Sequence, residues 1–177
     1  MTNLDHCIAD AIRNSAREVF ITMLGVEIGG GDSSVEASTP EANDGVVALI
    51  GIAGPWTGTG SLSCSPQLAC RICAHMLMTE SSSVNEEVLD AVAELTNMIV
   101  GGAKTALEAE VGPLGLSIPT VVYGRNFRTK SAIHSEWVIV RFSWEGEILE
   151  VRLCLARNEK GGTLGAHMPA PACALDV

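Results

Sequence analysis

Asp90, Glu94, Asn97 and Gly101 recur at i, i+4, i+7 and i+11 within a long helical pattern. At 3.6 residues per turn they fall within about 60° of one another. They form one line of two carboxylates, one carboxamide and a glycine. Carboxylates pair with cations, while a carboxamide accepts through its C=O and donates through its NH2. Val88, Val92, Leu95, Ile99 and Ala106 lie on the opposite side, giving the helix an apolar back. An amphipathic helix needs a polar face in any case, and Glu and Asn are ordinary there. Asn is nevertheless a poor interior helix residue, and among good helix formers it does nothing evident for stability.

Other groupings invite chemistry and carry less of it. Cys70-Arg-Ile-Cys73, with Cys64 and His75 near it, suggests a metal or redox pair. A structural zinc needs a second ligand pair at suitable spacing, and none is clear, so no metal ligands are assigned. Cys70, Cys73, Leu77 and Ala69 fit the apolar side of a helix, which reads as buried, inert thiols. His6, His75, His134 and His167 form no spaced pair, and no Ser-His-Asp order is legible. Gly29-Gly-Gly31 lacks the Lys-Ser/Thr of a phosphate loop and reads as a turn. Trp56, Trp137 and Trp144 read as core or rim packing.

The elements that must position the line are readable in turn. Thr2 to Leu24 predicts a helix, with Ile8, Ile12, Val19 and Met23 at helical spacing and Gly25 as its stop. Val26 to Ile28 predicts a short strand, and Gly29 to Asp44 a loop or irregular connection. Val46–Ala53 and Thr57–Ser63 predict a strand pair around Gly54-Pro55-Trp56. Pro66 opens a helix to about Met78. Asn85 caps the long helix that carries the line, with Glu86 and Glu87 in its first turn. That helix runs to about Glu110, with Gly101-Gly102 as a point of disturbance, and Gly112-Pro113 stops it. A strand covers Pro119 to Tyr123. Alternation from Val138 to Trp144 and from Leu149 to Leu155, around Glu145-Gly146-Glu147, predicts an antiparallel hairpin.

This order implies an α+β fold, an antiparallel sheet with helices packed on one side. The chain of 177 residues suits a single domain over residues 1–157, with 158–177 expected as a flexible C-terminal tail. Aromatics are only 4% of the residues, so aliphatics must build the core. A net charge of −10 speaks against nucleic acid and against an anionic membrane surface. Gly45 to Cys70 carries no charge but is broken by glycines and prolines, so it reads as strands and not as a membrane span. The start lacks an apolar leader and the cysteine spacing is irregular, which points to reduced thiols in the cytoplasm.

Asp90-Ala-Val-Ala-Glu94-Leu-Thr-Asn97 followed by Pro119 resembles the signature of the CheC, CheX and FliY chemotaxis phosphatases. That signature is Asp or Ser, Glu four positions on, Asn three further, then a set interval to Pro. Here 21 residues, 98 to 118, fill the interval. The flanks Asn97-Met-Ile-Val-Gly-Gly-Ala-Lys104 and Ser117-Ile-Pro-Thr-Val-Val-Tyr-Gly124 are similar to the CheX branch, as is Ala11 to Gly25. The resemblance covers roughly residues 4 to 156.

The resemblance implies a CheC/CheX-like fold and a hydrolase that removes the aspartyl phosphate of a CheY-like response regulator, in chemotaxis or a related two-component pathway. It implies Asn97 and Glu94 as catalytic residues. Asn97 would order the attacking water, and Glu94 would pair with the receiver's active-site Lys. Asp90 and Gly101 would be peripheral, and Pro119 structural. No cofactor of its own is implied, the Mg²⁺ being expected in the phosphorylated receiver. CheC-type members carry two signatures. The first helix here has Asp10, Asn14 and Arg17 but no Glu three before an Asn, so one site is counted. CheX relatives are homodimers, and the hairpin from Trp137 to Leu155 is expected to offer an open edge for pairing. The alternative is a non-catalytic receiver-binding or dimerisation module of the same fold. The Gly29 to Asp44 segment and the tail have no family role.

Overall fold

A computed structural model of the chain describes residues 1–37, 42–129 and 136–158. Helix α1, Asn3–Val19, begins at Thr2, whose side chain accepts from the Asp5 N–H in a capping box. It continues through a π-helical turn, Phe20–Leu24, to Gly25. Strands β1 (Gly29–Glu36), β2 (Ala42–Ala53) and β3 (Trp56–Cys64) follow. Helix α2, Pro66–Leu77, is capped by Ser65, and α3, Glu86–Val111, by Asn85. Then come β4 (Gly115–Leu116), β5 (Thr120–Arg128), β6 (Trp137–Trp144) and β7 (Glu147–Arg157).

The strands form one antiparallel sheet in the order β1-β6-β7-β3-β2-β4, with β5 also pairing β2. Alternate residues point to one face, which is the period-2 rule at work. On β2 these are Val46, Ala48, Ile50 and Ile52. On β6 and β7 they are Val140, Phe142, Val151 and Leu153, all buried in one core with Ile12, Phe20, Leu68, Ile72, Leu95 and Ile99 of the helices. The fold is therefore the expected α+β arrangement. Trp144 meets Phe20 edge to face at 5.7 Å. On the other face Trp137, Ile139 and Cys154 form a small second cluster, and Arg141 bridges Glu36 and Glu150 at 3.0 and 2.8 Å. No helix among the described residues is long and apolar enough to cross a membrane.

Three expectations are corrected. Val26 to Ile28 is not a strand, and the segment expected as a loop instead begins with β1. Gly29-Gly-Gly-Asp-Ser-Ser has no apolar alternation to betray a strand. It is recruited by backbone pairing to β6, with a bulge between Gly30 and Asp32. Gly30 and Gly31 stand at φ +78° and +103°, where a side chain is strained. The carbonyls of Gly30 and Gly31 accept from Arg17 and Arg13 of α1, at 3.0 and 2.9 Å. For the same reason the β6–β7 hairpin is not an open edge. β1 covers β6, and β3 covers β7. Third, α3 passes Gly101-Gly102 without a break. The expected tail lies outside the described residues from residue 159 onward, and residues 38–41 of the expected loop likewise.

Candidate functional site

Helix α3 begins where Asn85 Oδ1 accepts from the Val88 N–H at 3.0 Å. Glu86 and Glu87 then occupy the first turn, where negative charge meets the positive end of the helix dipole. Val88, Val92, Leu95 and Ile99 are fully buried, as the periodicity requires. Ala106, expected on that side, is exposed. The buried arc turns along the helix, from Val88, Leu95 and Ile99 to Val100, Ala103, Leu107 and Val111, so the position opposite the line leaves the core before the helix ends.

The line itself faces out. Asp90 and Glu94 are exposed, and Asn97 and Gly101 half-buried. Glu94 and Asn97 stand one turn apart on the same side, with Cβ atoms about 5–6 Å from each other. Asp90, Glu94 and Asn97 make no side-chain hydrogen bond or ion pair with another described residue. Their donors, acceptors and charges are therefore open to a partner. Gly101 lies beside β4: a Cβ there would touch Leu116 Cδ1 at 3.8 Å. Pro119 is half-buried and stands directly before β5, which pairs with β2 under the helix.

The orientation of the line is set from the back of α3, just after Asn97. A Cβ on Gly60 would lie 2.8 and 2.9 Å from the two methyls of Val100, so the bare backbone of β3 lets the helix settle close to the sheet. On the α1 side, Ser15 Oγ donates to the Ile99 carbonyl at 2.8 Å in a buried bond. A Cβ on Gly102 would come within 2.3 Å of that same oxygen. Sheet and α1 thus grip residues 99–102 and fix the azimuth of the turn before them. At the far end Glu108 bonds Lys104 at 3.0 Å and accepts from the Leu114 N–H at 2.8 Å. The Leu114 N–H, then Lys104, hold the Glu108 carboxyl below its usual range. Sequence reading missed Gly60 and Ser15. The signal for Gly60 was a glycine in a strand, a mark of close backbone approach. A buried serine on α1 gave none.

The thiols lie in or at the rim of the packed interior. Cys64 and Cys73 are buried and Cys70 half-buried. Burial, with Cys70 and Glu147 nearby, pushes Cys64 up to about 12, and burial also raises Cys70 and Cys73. Leu77, expected beside them on the apolar side, is exposed at the last residue of α2. His75 Nδ1 sits 3.1 Å from the Leu24 carbonyl and packs edge-on to Trp144. His134, His167 and Cys173 lie outside the described residues.

Residues 46–143 match the family model described as "Chemotaxis phosphatase CheX". The CheY-P phosphatase CheX of Thermotoga maritima is 32% identical over 129 residues, 72% of this chain and 83% of that protein. The crystal structure of the chemotaxis protein CheX from Desulfovibrio desulfuricans superposes with a TM-score of 0.75 at 26% identity, over 84% of this chain and 99% of that one. The CheX-CheY-BeF3-Mg²⁺ complex of Borrelia burgdorferi gives 0.66 at 25% identity, over 82% and 96%.

Proposed function

This chain belongs to the CheX family of chemotaxis phosphatases, and from that we propose that it hydrolyses the aspartyl phosphate of a CheY-like response regulator. The observation that carries the proposal is the pair Glu94 and Asn97. They stand one turn apart, outward and without a partner among the described residues, on a helix gripped from behind.

The chemistry suits such a sparse site. Phosphoryl transfer needs mainly positioning and charge stabilisation. The phosphorylated receiver would bring its own phosphoaspartate, Lys and Mg²⁺, the last supplying charge neutralisation at the phosphoryl oxygens. What hydrolysis still lacks is a water held in line with phosphorus. The Asn97 carboxamide enters the pocket, accepts from that water through its C=O, and donates through its NH2 to a phosphoryl oxygen. Glu94 pairs with the receiver's Lys and seats the helix. Asp90 shapes the approach at the outer end of the line, and Gly101 keeps the inner end low. Pro119 fixes the strand entry beside α3.

The working form is a homodimer acting in the cytoplasm. The resemblance supports the first, and light scattering that finds only monomer would refute it. Support for the second comes from the five described cysteines, all free thiols. The activity itself is tested by phosphate release from a phosphorylated CheY-like receiver with and without this protein. Acceleration that depends on Asn97 supports the reading. No acceleration with a receiver that binds would reduce the chain to a binding module.

A further inference from the structure

Ile118 is 89% exposed. Single exposed aliphatics are ordinary on protein surfaces, but this one is held in place. The Ser117 N–H donates to the Gly51 carbonyl at 2.9 Å, and Ser117 Oγ accepts from the Gly51 N–H at 2.8 Å. The same hydroxyl donates to the carbonyl of Ile118 at 3.0 Å. Pro119 follows and restricts the backbone of Ile118 to extended conformations. A large apolar side chain is thus presented to water on a latched backbone.

Its position along the site follows from the pairing. Val100 of α3 packs over Gly60, and Gly112 at the helix end lies by Pro55. The helix therefore runs toward the Ala53 end of β2. The chain from β4 to β5 runs the other way, from opposite Ile52 to opposite Leu49. Leu116 is level with Gly101. Two further extended residues advance about 6.6 Å, which matches about four residues of helix rise. Ile118 therefore stands beside α3 at the height of Asn97.

We propose that Ile118 is a specificity-determining contact: an aliphatic knob that packs against an apolar surface bordering the receiver's phosphoaspartate pocket as Glu94 and Asn97 enter it. This rests on the reading of α3 as the phosphatase site. The receiver is the occupant because the knob is continuous with the polar line. One docking event covers both, with an apolar anchor beside groups that make the hydrogen bonds.

The test is steady-state phosphate release over a range of phosphorylated-receiver concentrations. Ile118→Ser is expected to raise KM about tenfold or more, the share of a buried aliphatic side chain, with kcat within about twofold. Ile118→Val keeps the wild-type KM within about threefold. Ile148→Ser is the control. Ile148 is 55% exposed, next to core-facing Leu149 and so on the opposite face of the sheet, and its replacement leaves both constants unchanged. An unchanged KM in Ile118→Ser overturns the proposal, as does a fall in kcat alone. A change in self-association without a change in KM overturns it too, and assigns the knob to a contact between copies. Asn97→Ala run alongside separates the two readings. If it is fully active, the phosphatase assignment of α3 fails whatever Ile118 does.

Discussion

Replacing Asn97 by alanine separates the two things this residue does. In the fold it does little. The side chain is half-buried and bonds to no described residue, and it sits inside α3, where alanine is the better helix former by up to about 0.7 kcal/mol. The variant is therefore expected to unfold at the same urea concentration as the wild type or a slightly higher one. In the proposed reaction the loss is large. One carboxamide supplies both the acceptor for water and a donor to the phosphoryl group, and removing one preorganised group costs about 10²-fold or more in kcat, or about 2.7 kcal/mol of barrier. The assays are urea denaturation followed by circular dichroism, and phosphate release at saturating receiver. A variant that keeps more than about half the wild-type rate refutes the catalytic role. One destabilised by more than about 1 kcal/mol shows that Asn97 also supports the fold.

Glu94→Ala is expected to weaken binding to the phosphorylated receiver about tenfold, the value of a hydrogen bond to a charged group, and an unchanged affinity in a calorimetric titration would remove its docking role. Gly60→Ala places a methyl within 3 Å of both Val100 methyls, and should cost about 1–3 kcal/mol through overpacking, read as a lower urea midpoint; an unshifted midpoint means the helix gives way without cost. Acid should weaken the fold through two carboxyls. Arg141, then Ser34, hold Glu36 below its ordinary 4.5, and the Leu114 N–H with Lys104 does the same for Glu108. Their contribution is present above pH 4.5, the unfolded value, and is lost as pH falls through the lowered folded values. Urea midpoints should decline below about pH 5 and less so in Glu108→Gln; an identical decline in that variant counts against the Glu108 assignment.

What could be read from the sequence was what is local. The α3 line, its cap at Asn85 and its stop at Gly112 depend on spacing within one helix, and spacing survives in a string of letters. The β6–β7 hairpin was visible because its alternation is continuous across a two-residue turn. Its place in the sheet was not, since that depends on β1, whose glycines and serines show no pattern until β6 gives them partners. The exposure of Ala106 depends on how α3 rotates against its neighbours, which no single-helix projection contains. The interval from Asn97 to Pro119 was legible as a count, yet its reason is three-dimensional: the chain must turn at Gly112, pair as β4, pass Gly101 and re-enter beside β2. The grip on α3 by Gly60 and Ser15 joins residues 40 and 84 apart in sequence, and neither carries a label of its own.

The arginines of α1 that bond the carbonyls of β1 also bear on assembly. Among the described residues β1 pairs only with β6, and an unpaired margin of a sheet is a template on which foreign strands can grow. Arg13 and Arg17 already occupy the acceptors of Gly31 and Gly30, and the bulge bends that half of the strand out of register. A newcomer would have to evict two guanidinium groups to lie along it. The remainder, Ser33–Glu36, is about 13 Å long, so any chain that adds here can do so only briefly and at the far end. The helix that completes the core thus also encumbers half of this margin of the sheet.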